Sequence, residues 1–270
     1  MGLNSRARLG GLRRVELYGN PGTPEGRAKG GKRTVEIFHK NPADAKGFVL
    51  RKSIVYPLRS KELAEFIGIM LGDGGLPGTH QITITLNRKT DREYFNFIVA
   101  LLKKLFSVDC SVRYRKKGLG IDIVVSSTSL VDFLVESGLT TGSKVRNQAS
   151  VPDWIDAEQD YRISCLRGLM DTDGGLYRHQ YLVAGKKYEY LKLCFTNYSR
   201  PLLKFVHRTL ETLGVKASLK SNHVSVYSKE SVKRYFEIIG SSNPKHLDKF
   251  RRTFFIIRGE VPERPIGAAC

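Results

Sequence analysis

Two stretches 100 residues apart carry one pattern: Phe66-Ile-Gly-Ile-Met-Leu-Gly-Asp-Gly74 and Leu166-Arg-Gly-Leu-Met-Asp-Thr-Asp-Gly174. An internal repeat on this scale means that one folding unit is present twice, which limits the architecture more than any other feature of the chain. Each stretch is an apolar helical run with a small residue at its third and seventh places. Gly68 and Gly72, like Gly168 and Thr172, are four apart and share one helix face. Small side chains there let a second backbone approach closely. Neither run is long enough to cross a bilayer, and Glu65 and Arg167 make a membrane span still less suitable. Each helix is therefore expected to pack against the other, with Gly74 and Gly174 serving as left-handed C-caps.

Such packing sets Asp73 and Asp173 side by side at the C-terminal ends of both helices. Two carboxylates there face the negative ends of two helix dipoles, an arrangement that calls for a cation. Magnesium, which takes oxygen ligands from carboxylates and phosphates, is the expected one. Asp171 lies two positions before Asp173, on another face of the helix, and is left outside the site.

The doubled motif resembles that of the LAGLIDADG homing endonucleases in their single-chain form, over roughly Leu58 to Phe250. The resemblance implies a monomer with an internal pseudo-dimer that cuts both strands of a long DNA site. Asp73 and Asp173 would hold Mg²⁺, with the backbone of Gly72 and Thr172; Ca²⁺ would support binding without cleavage. It also implies that a lysine stands near the metals. Lys144 lies 71 residues after Asp73 and Lys245 lies 72 after Asp173, each behind a short helix and a Gly-Ser element. Asn87 and Asn197, at strand ends, match polar residues of the family's water network, with Arg88 as a rival to Asn87.

Between the motifs the pattern reads as an α+β chain. Ser60 is an N-cap, with Leu63, Ile67, Met70 and Leu71 forming an apolar face. Gln81 to Leu86 alternates as a half-buried strand does. A helix over Asp91 to Phe106, strands Cys110 to Lys116 and Ile121 to Ser126, and a helix over Ser129 to Gly138 follow. Trp154, after the linking loop, reads as a packing anchor. The second half repeats the order: strands Leu176 to Val183 and Tyr188 to Phe195, a helix Arg200 to Leu213, strands Val215 to Lys220 and His223 to Tyr227, and a helix Ser231 to Ile239. Its first hairpin is longer, turning at Gly185-Lys-Lys187. The expectation is two pseudo-symmetric αββαββα repeats, residues 58–150 and 151–250. Their antiparallel sheets would form a saddle open on one face, suited to a DNA major groove. Candidate readers are Thr83, Thr85, Arg113 and Arg115 in one half, and Tyr188, Tyr190, Lys192, Lys216 and Lys220 in the other.

Charge points the same way. Lys and Arg total 45 against 26 Asp and Glu, a net +19, which fits a polyanionic partner. Residues 1–60 hold 13 Lys and Arg against 4 Asp and Glu. Gly pairs and Pro-Gly turns break this segment, and no apolar period precedes about Phe48. It reads as a flexible basic arm over residues 1–57, with Arg13, Arg14, Arg27, Lys29, Lys32 and Arg33 as candidate DNA contacts. Residues 251–270 read as a basic tail. Four scattered cysteines form neither a disulfide frame nor a zinc pattern, and the six histidines are equally dispersed. With no signal peptide or membrane segment, the expected setting is the cytoplasm or an organelle, without secretion. Double-stranded DNA is the first expected partner. The alternative of the same fold is an RNA-binding maturase acting on intron RNA. A DNA-binding regulator would need an added helix-turn-helix domain, and an intein would need splicing blocks that are not seen.

Overall fold

The computed structural model describes residues 3–45, 47 and 51–254, the side chains of 3–6, 181 and 187–189 excepted. They form two compact units, which divide between Lys52 and Ser53.

In the larger unit the two motif runs are helices α3 (Lys61–Leu71) and α7 (Gln159–Thr172). Ser60 caps α3, its hydroxyl accepting the Leu63 N–H at 3.1 Å. Leu63 through Leu71 are all buried, because α3 lies in the middle of the fold. The helices meet through their glycines: a Cβ on Gly68 would lie 2.2 Å from the Cys165 carbonyl oxygen, and one on Gly168 2.3 Å from that of Glu65. Only a bare backbone fits these positions, as the four-residue spacing of small residues implied.

Each motif helix is followed by a four-stranded antiparallel sheet. In the first repeat these strands are β1 (Gly74–Gly75), β2 (Gln81–Asn87), β3 (Ser111–Tyr114) and β4 (Gly120–Ser126), in the order β1-β2-β4-β3. In the second they are β5 (Gly174–Val183), β6 (Lys186–Thr196), β7 (Ser218–Leu219) and β8 (His223–Val226), in the order β5-β6-β8-β7. Helices α4 (Arg92–Phe106) and α5 (Thr128–Glu136) accompany the first sheet, with α8 (Arg200–Thr212) and α9 (Lys229–Ile238) in the second repeat. Ile82, Ile84 and Leu86 turn inward from β2 while Thr83 and Thr85 stay partly open, as period-two patterning requires. A short helix α6 (Asp153–Ala157) joins the halves. Beside it Trp154 is an anchor: its Nε1 donates to the Ser137 carbonyl, and its ring meets Tyr161 edge-on.

Several local expectations are corrected. Gly74 and Gly174 do not adopt left-handed backbone; they open β1 and β5. Glycine is required there by crowding, since a Cβ would lie 2.5 Å from Met70 Cα in one case and 2.3 Å from the Met170 carbonyl oxygen in the other. The strand expected over Val215 to Lys220 shrinks to Ser218–Leu219. The preceding N–H groups are used elsewhere: Val215 donates to Leu210, Lys216 to the Ser231 hydroxyl and Ala217 to the Glu211 carboxylate. The extra length of the second hairpin is confirmed, with ten register pairs in β5–β6 against two in β1–β2. A further helix, α10 (Pro244–Phe254), extends past Phe250, where only tail was expected. Its Phe250 stacks on Phe236 of α9 with ring centres 4.1 Å apart. Residues 255–270 of the expected tail lie outside the described residues.

The smaller unit corrects the reading of a flexible arm. It holds α1 (Leu3–Tyr18), α2 (Pro24–Lys40) and a 3-10 turn, Pro42–Asp44. Helix α2 has strong local signals: Thr23 caps it, Pro24 starts it, Glu25 sits in its first turn, and His39 and Lys40 close it. Gly19, at φ 78°, turns the chain between the helices. Gly10, Gly11, Gly30 and Gly31, read as breaks, lie inside the helices. Phe48 lies outside the described residues. Residues 53–57, assigned to the arm, belong with the larger unit: Val55 donates to the Phe106 carbonyl and Tyr56 meets Phe133 edge-on.

Candidate functional site

The close approach of α3 and α7 brings their C-terminal ends together. Thr172 Oγ1 would lie only 1.9 Å from a Cβ on Gly72, so the helices still touch at their last turn. Asp73 and Asp173 follow immediately. Each also fixes the first strand pair of its sheet, the Asp73 carbonyl accepting from Thr85 N–H at 3.1 Å and the Asp173 carbonyl from Thr196 N–H at 3.3 Å. Matched backbone bonds thus anchor the two residues in matched fashion.

The electrostatics follow from this placement. Burial, then the Asp173 charge, lifts the Asp73 carboxyl to about 7. Burial likewise raises Asp173, against the opposing pull of Lys144 and of a 2.7 Å hydrogen bond from Asn197 Nδ2. Two desolvated carboxyls of like charge at helix C-termini resist ionising together. Nearby ammonium groups offset this only in part.

Lys144 Nζ donates to the carbonyls of Met70, Leu71 and Gly72, closing the C-terminal end of α3. Desolvation lowers its pKa, while Asp173 and then Asp73 oppose the shift. Lys245 reaches the site from the other repeat, pairing with Asp91 Oδ1 at 2.6 Å. Its charge favours ionisation of Asp73. Asp73 therefore feels the charge of both lysines, and Asp173 that of Lys144.

The two asparagines part company. Asn197 contacts Asp173, but the Asn87 side chain accepts from the Lys89 and Thr90 N–H groups and serves its own turn. Asn87 is at the site's edge only through its backbone, whose N–H donates to Asp91 Oδ2 at 3.1 Å. Arg88 is exposed. The Gly72 carbonyl, expected on a metal, here accepts from Lys144, and the Thr172 hydroxyl bonds back to Gly168 and Leu169. Asp171 is buried on the side of α7 that meets the loop before α10. It accepts from the Ser241 hydroxyl and from the N–H groups of Ser242 and Asn243, tying the loop before α10 to α7.

Asp91 is the residue that reading the sequence missed. It is 7% exposed, precedes α4, and touches both Lys245 and Asn243. A matched position in the two repeats could have found it, but Ser199 stands there in the second repeat, so the repeat gave no echo.

Among the described residues no group of three or more His, Cys, Asp or Glu side chains is placed to hold a metal. Asp73 and Asp173 with neighbouring backbone carbonyls make an all-oxygen donor set. Its mutual repulsion would be relieved by a hard divalent cation. The residues fit such an ion.

The outer faces of the sheets carry several of the expected readers. Arg113, opposite Asp122 in the β3–β4 register, is exposed. Arg115 donates to Asp122 and to Thr85 Oγ1, and Thr85 donates to Asp122 at 2.8 Å. Asp122, absent from the expected readers, thus orients two of the four. Thr83 accepts from Gln81. In the second sheet Tyr190 meets His179, and Lys192 Nζ sits 4.9 Å from the Tyr227 ring centre. Lys216 and Lys220 are exposed but flank β7 instead of lying in it, the Lys216 N–H being taken by the Ser231 hydroxyl. The Tyr188 side chain lies outside the described residues. In the smaller unit Arg13 and Arg14 lie exposed on α1, and Arg27, Lys29, Lys32 and Arg33 on α2. Lys29 donates to the Glu16 carbonyl and Arg33 pairs with Glu36. No described helix is long and apolar enough to cross a membrane.

Residues 160–240, within the second repeat, match the family model of the LAGLIDADG-like domain. The chain is 23% identical over 235 residues to an uncharacterised protein of Methanocaldococcus jannaschii. That match covers 79% of this chain and 25% of the other protein, so the chain corresponds to about a quarter of this relative's length. In fold the chain is similar to the LAGLIDADG meganuclease I-AabMI bound to uncleaved DNA, with TM-score 0.51, 12% identity, and coverage of 72% of this chain and 91% of that one. It also matches the homing endonuclease I-DmoI in complex with DNA and Mn, with TM-score 0.47, 19% identity, and coverage of 67% and 97%. The two-repeat αβ fold is that of the LAGLIDADG meganucleases.

Proposed function

We propose that the chain is a site-specific double-strand DNA endonuclease that hydrolyses phosphodiester bonds with divalent metal. The observation that carries this reading is the pair Asp73 and Asp173, each half-buried, each raised in pKa, with Lys144 and Lys245 nearby. A purely structural pair of carboxylates at two helix C-termini would be costly. The solved relative I-AabMI is bound to DNA, which agrees with the sheet faces and net charge of this chain.

The residues divide the work. Asp73 and Asp173 would hold a divalent cation such as Mg²⁺, with the Thr172 carbonyl and the Gly72 carbonyl, which accepts from Lys144, as neighbouring oxygen donors. When bound, such a cation would supply acidification of the attacking water and stabilisation of the leaving oxygen. Lys144 and Lys245 add positive charge where negative charge gathers on the phosphates. Asn197 fixes the Asp173 carboxyl. Thr83, Thr85, Arg113, Arg115, Tyr190 and Lys192 face the duplex, with Lys216, Lys220 and the basic residues of α1 and α2 on phosphates.

The test is a library of duplexes with randomised inserts, incubated with the full chain and Mg²⁺, followed by sequencing of recovered ends. A single recurring cut site is the expected result, with Ca²⁺ giving retention of the same duplex uncut. Retention without cutting in Mg²⁺ would reject the nuclease reading and turn attention to structured intron RNA.

A further inference from the structure

Matched points of the two repeats place the two lysines, yet their surroundings differ. All the hydrogen-bond acceptors of Lys144 Nζ are backbone carbonyls of its own repeat, those of Met70, Leu71 and Gly72. Lys245 instead reaches across to a carboxylate of the other repeat, Asp91, at 2.6 Å. Asp91 immediately precedes α4, yet its side chain makes no cap bond to that helix. It is held from behind, Oδ2 accepting the Asn87 N–H at 3.1 Å, while Oδ1 also accepts from Asn243 Nδ2 at 3.3 Å. The carboxylate therefore points its free valence at the segment 243–245 of the partner repeat.

Ser199 is the corresponding residue before α8, and it is fully buried. Its hydroxyl also reaches across, but donates to the Ala149 carbonyl in the segment that follows Lys144. Gln148 completes that contact, bonding Tyr198 and Arg200. The same crossed contact thus exists twice, with a carboxylate in one copy and a hydroxyl in the other. A carboxylate fixes an ammonium group strongly; a buried hydroxyl already donating to a carbonyl does not. One residue difference between the repeats leaves Lys245 tethered and Lys144 without a carboxylate tether.

We infer that Asp91 is a positioning residue that holds Lys245 over one half of the site, so that the two strands of a bound duplex are cut at unequal rates. This rests on the nuclease reading above. Asp91 touches no reacting atom in this scheme and acts through Lys245.

The experiment uses the full chain and the duplex recovered from the library, cloned into supercoiled plasmid and carrying a separate label on each strand. Wild-type protein should pass through a nicked intermediate cut always on one strand. Asp91→Asn should slow one strand by about tenfold or more and leave the other within about twofold. Lys245→Met should slow the same strand, and the double variant should be no slower there than Lys245→Met alone, since both changes break one interaction. Asp91→Ser, which gives the first repeat the residue found in the second, should behave like Asp91→Asn. Melting curves and duplex retention in Ca²⁺ check that all four variants fold and bind. Equal slowing of both strands, multiplying effects in the double variant, or simultaneous cutting of both strands by wild type would overturn the inference while leaving the nuclease intact. If wild-type protein cuts neither strand, the nuclease reading itself falls.

Discussion

Asp73 carries the most information of any single residue. Its carboxyl is raised to about 7, against an ordinary value of 3.8. The folded protein therefore keeps a proton that the unfolded chain releases between those values. Without metal, stability should fall as pH rises from about 4 to about 7 and change little above that. Thermal melts in EDTA across this range test it; a flat profile would contradict the raised carboxyl. Asp73→Asn should weaken the slope, raise the metal-free stability above pH 7 by about 0.5–2 kcal/mol, and abolish cutting of both strands. Magnesium should stabilise the wild type more at pH 8 than at pH 5, because protons compete for the same oxygens; at 100 times Kd the gain is about 2.7 kcal/mol. The motif drew attention to Asp73 and Asp173, and the repeat spacing to Lys144 and Lys245, which the structure sets against the end of α3 and against Asp91. Asn87 misled because a strand-end asparagine can serve either a site or its own turn. The local turn won.

At the scale of elements, the seam between α3 and α7 decides the geometry. Gly68→Ala or Gly168→Ala sets a methyl against backbone carbonyl oxygen, which cannot move aside without parting the helices. Each should cost about 3 kcal/mol or more, at or above the usual range for overpacking, read as a fall in denaturation midpoint. Gly72→Ala meets a side-chain atom, Thr172 Oγ1, and this clash is removable. Thr172→Gly in the same chain should recover much of the stability that Gly72→Ala removes and none of what Gly68→Ala removes. A uniform response of all three glycines would contradict the seam. The main helices and strands were readable because their apolar periods are regular, with serine caps adding to the signal in α3, α5 and α9. Strand β7 was not, since side chains of Ser231 and Glu211 take N–H groups that a ladder would have used.

For the whole molecule, the basic charge is spread over two units that differ in build. The buried apolar core runs from Leu63 to Ile239, all of it in the larger unit. The unit of residues 1–52 shows exposed Leu9, Leu12, Val15 and Val35 among its basic residues. Deleting residues 1–52 should leave a folded chain that still cuts but holds DNA less tightly. The slope of log affinity against log salt should shrink by about 0.9 for each phosphate that the shortened chain no longer neutralises, measured by fluorescence anisotropy on the recovered duplex. An unchanged slope would remove α1 and α2 from the DNA interface. Their helical form escaped the sequence reading because paired glycines interrupt the pattern, and the helices leave apolar side chains exposed.

The sequence by itself determined the doubling, the helix pairing and the two aspartates, because small-residue spacing and period-two alternation are local codes that each repeat writes out again. Tertiary structure alone decided which groups cross between repeats. Asp91 and Lys245 are 154 positions apart and Ser199 and Ala149 are 50, yet each pair closes the same contact. No local pattern encodes such a meeting. It depends on two helices approaching until their backbones touch, and it is there that a carboxylate in one repeat and a hydroxyl in the other make the two halves unequal.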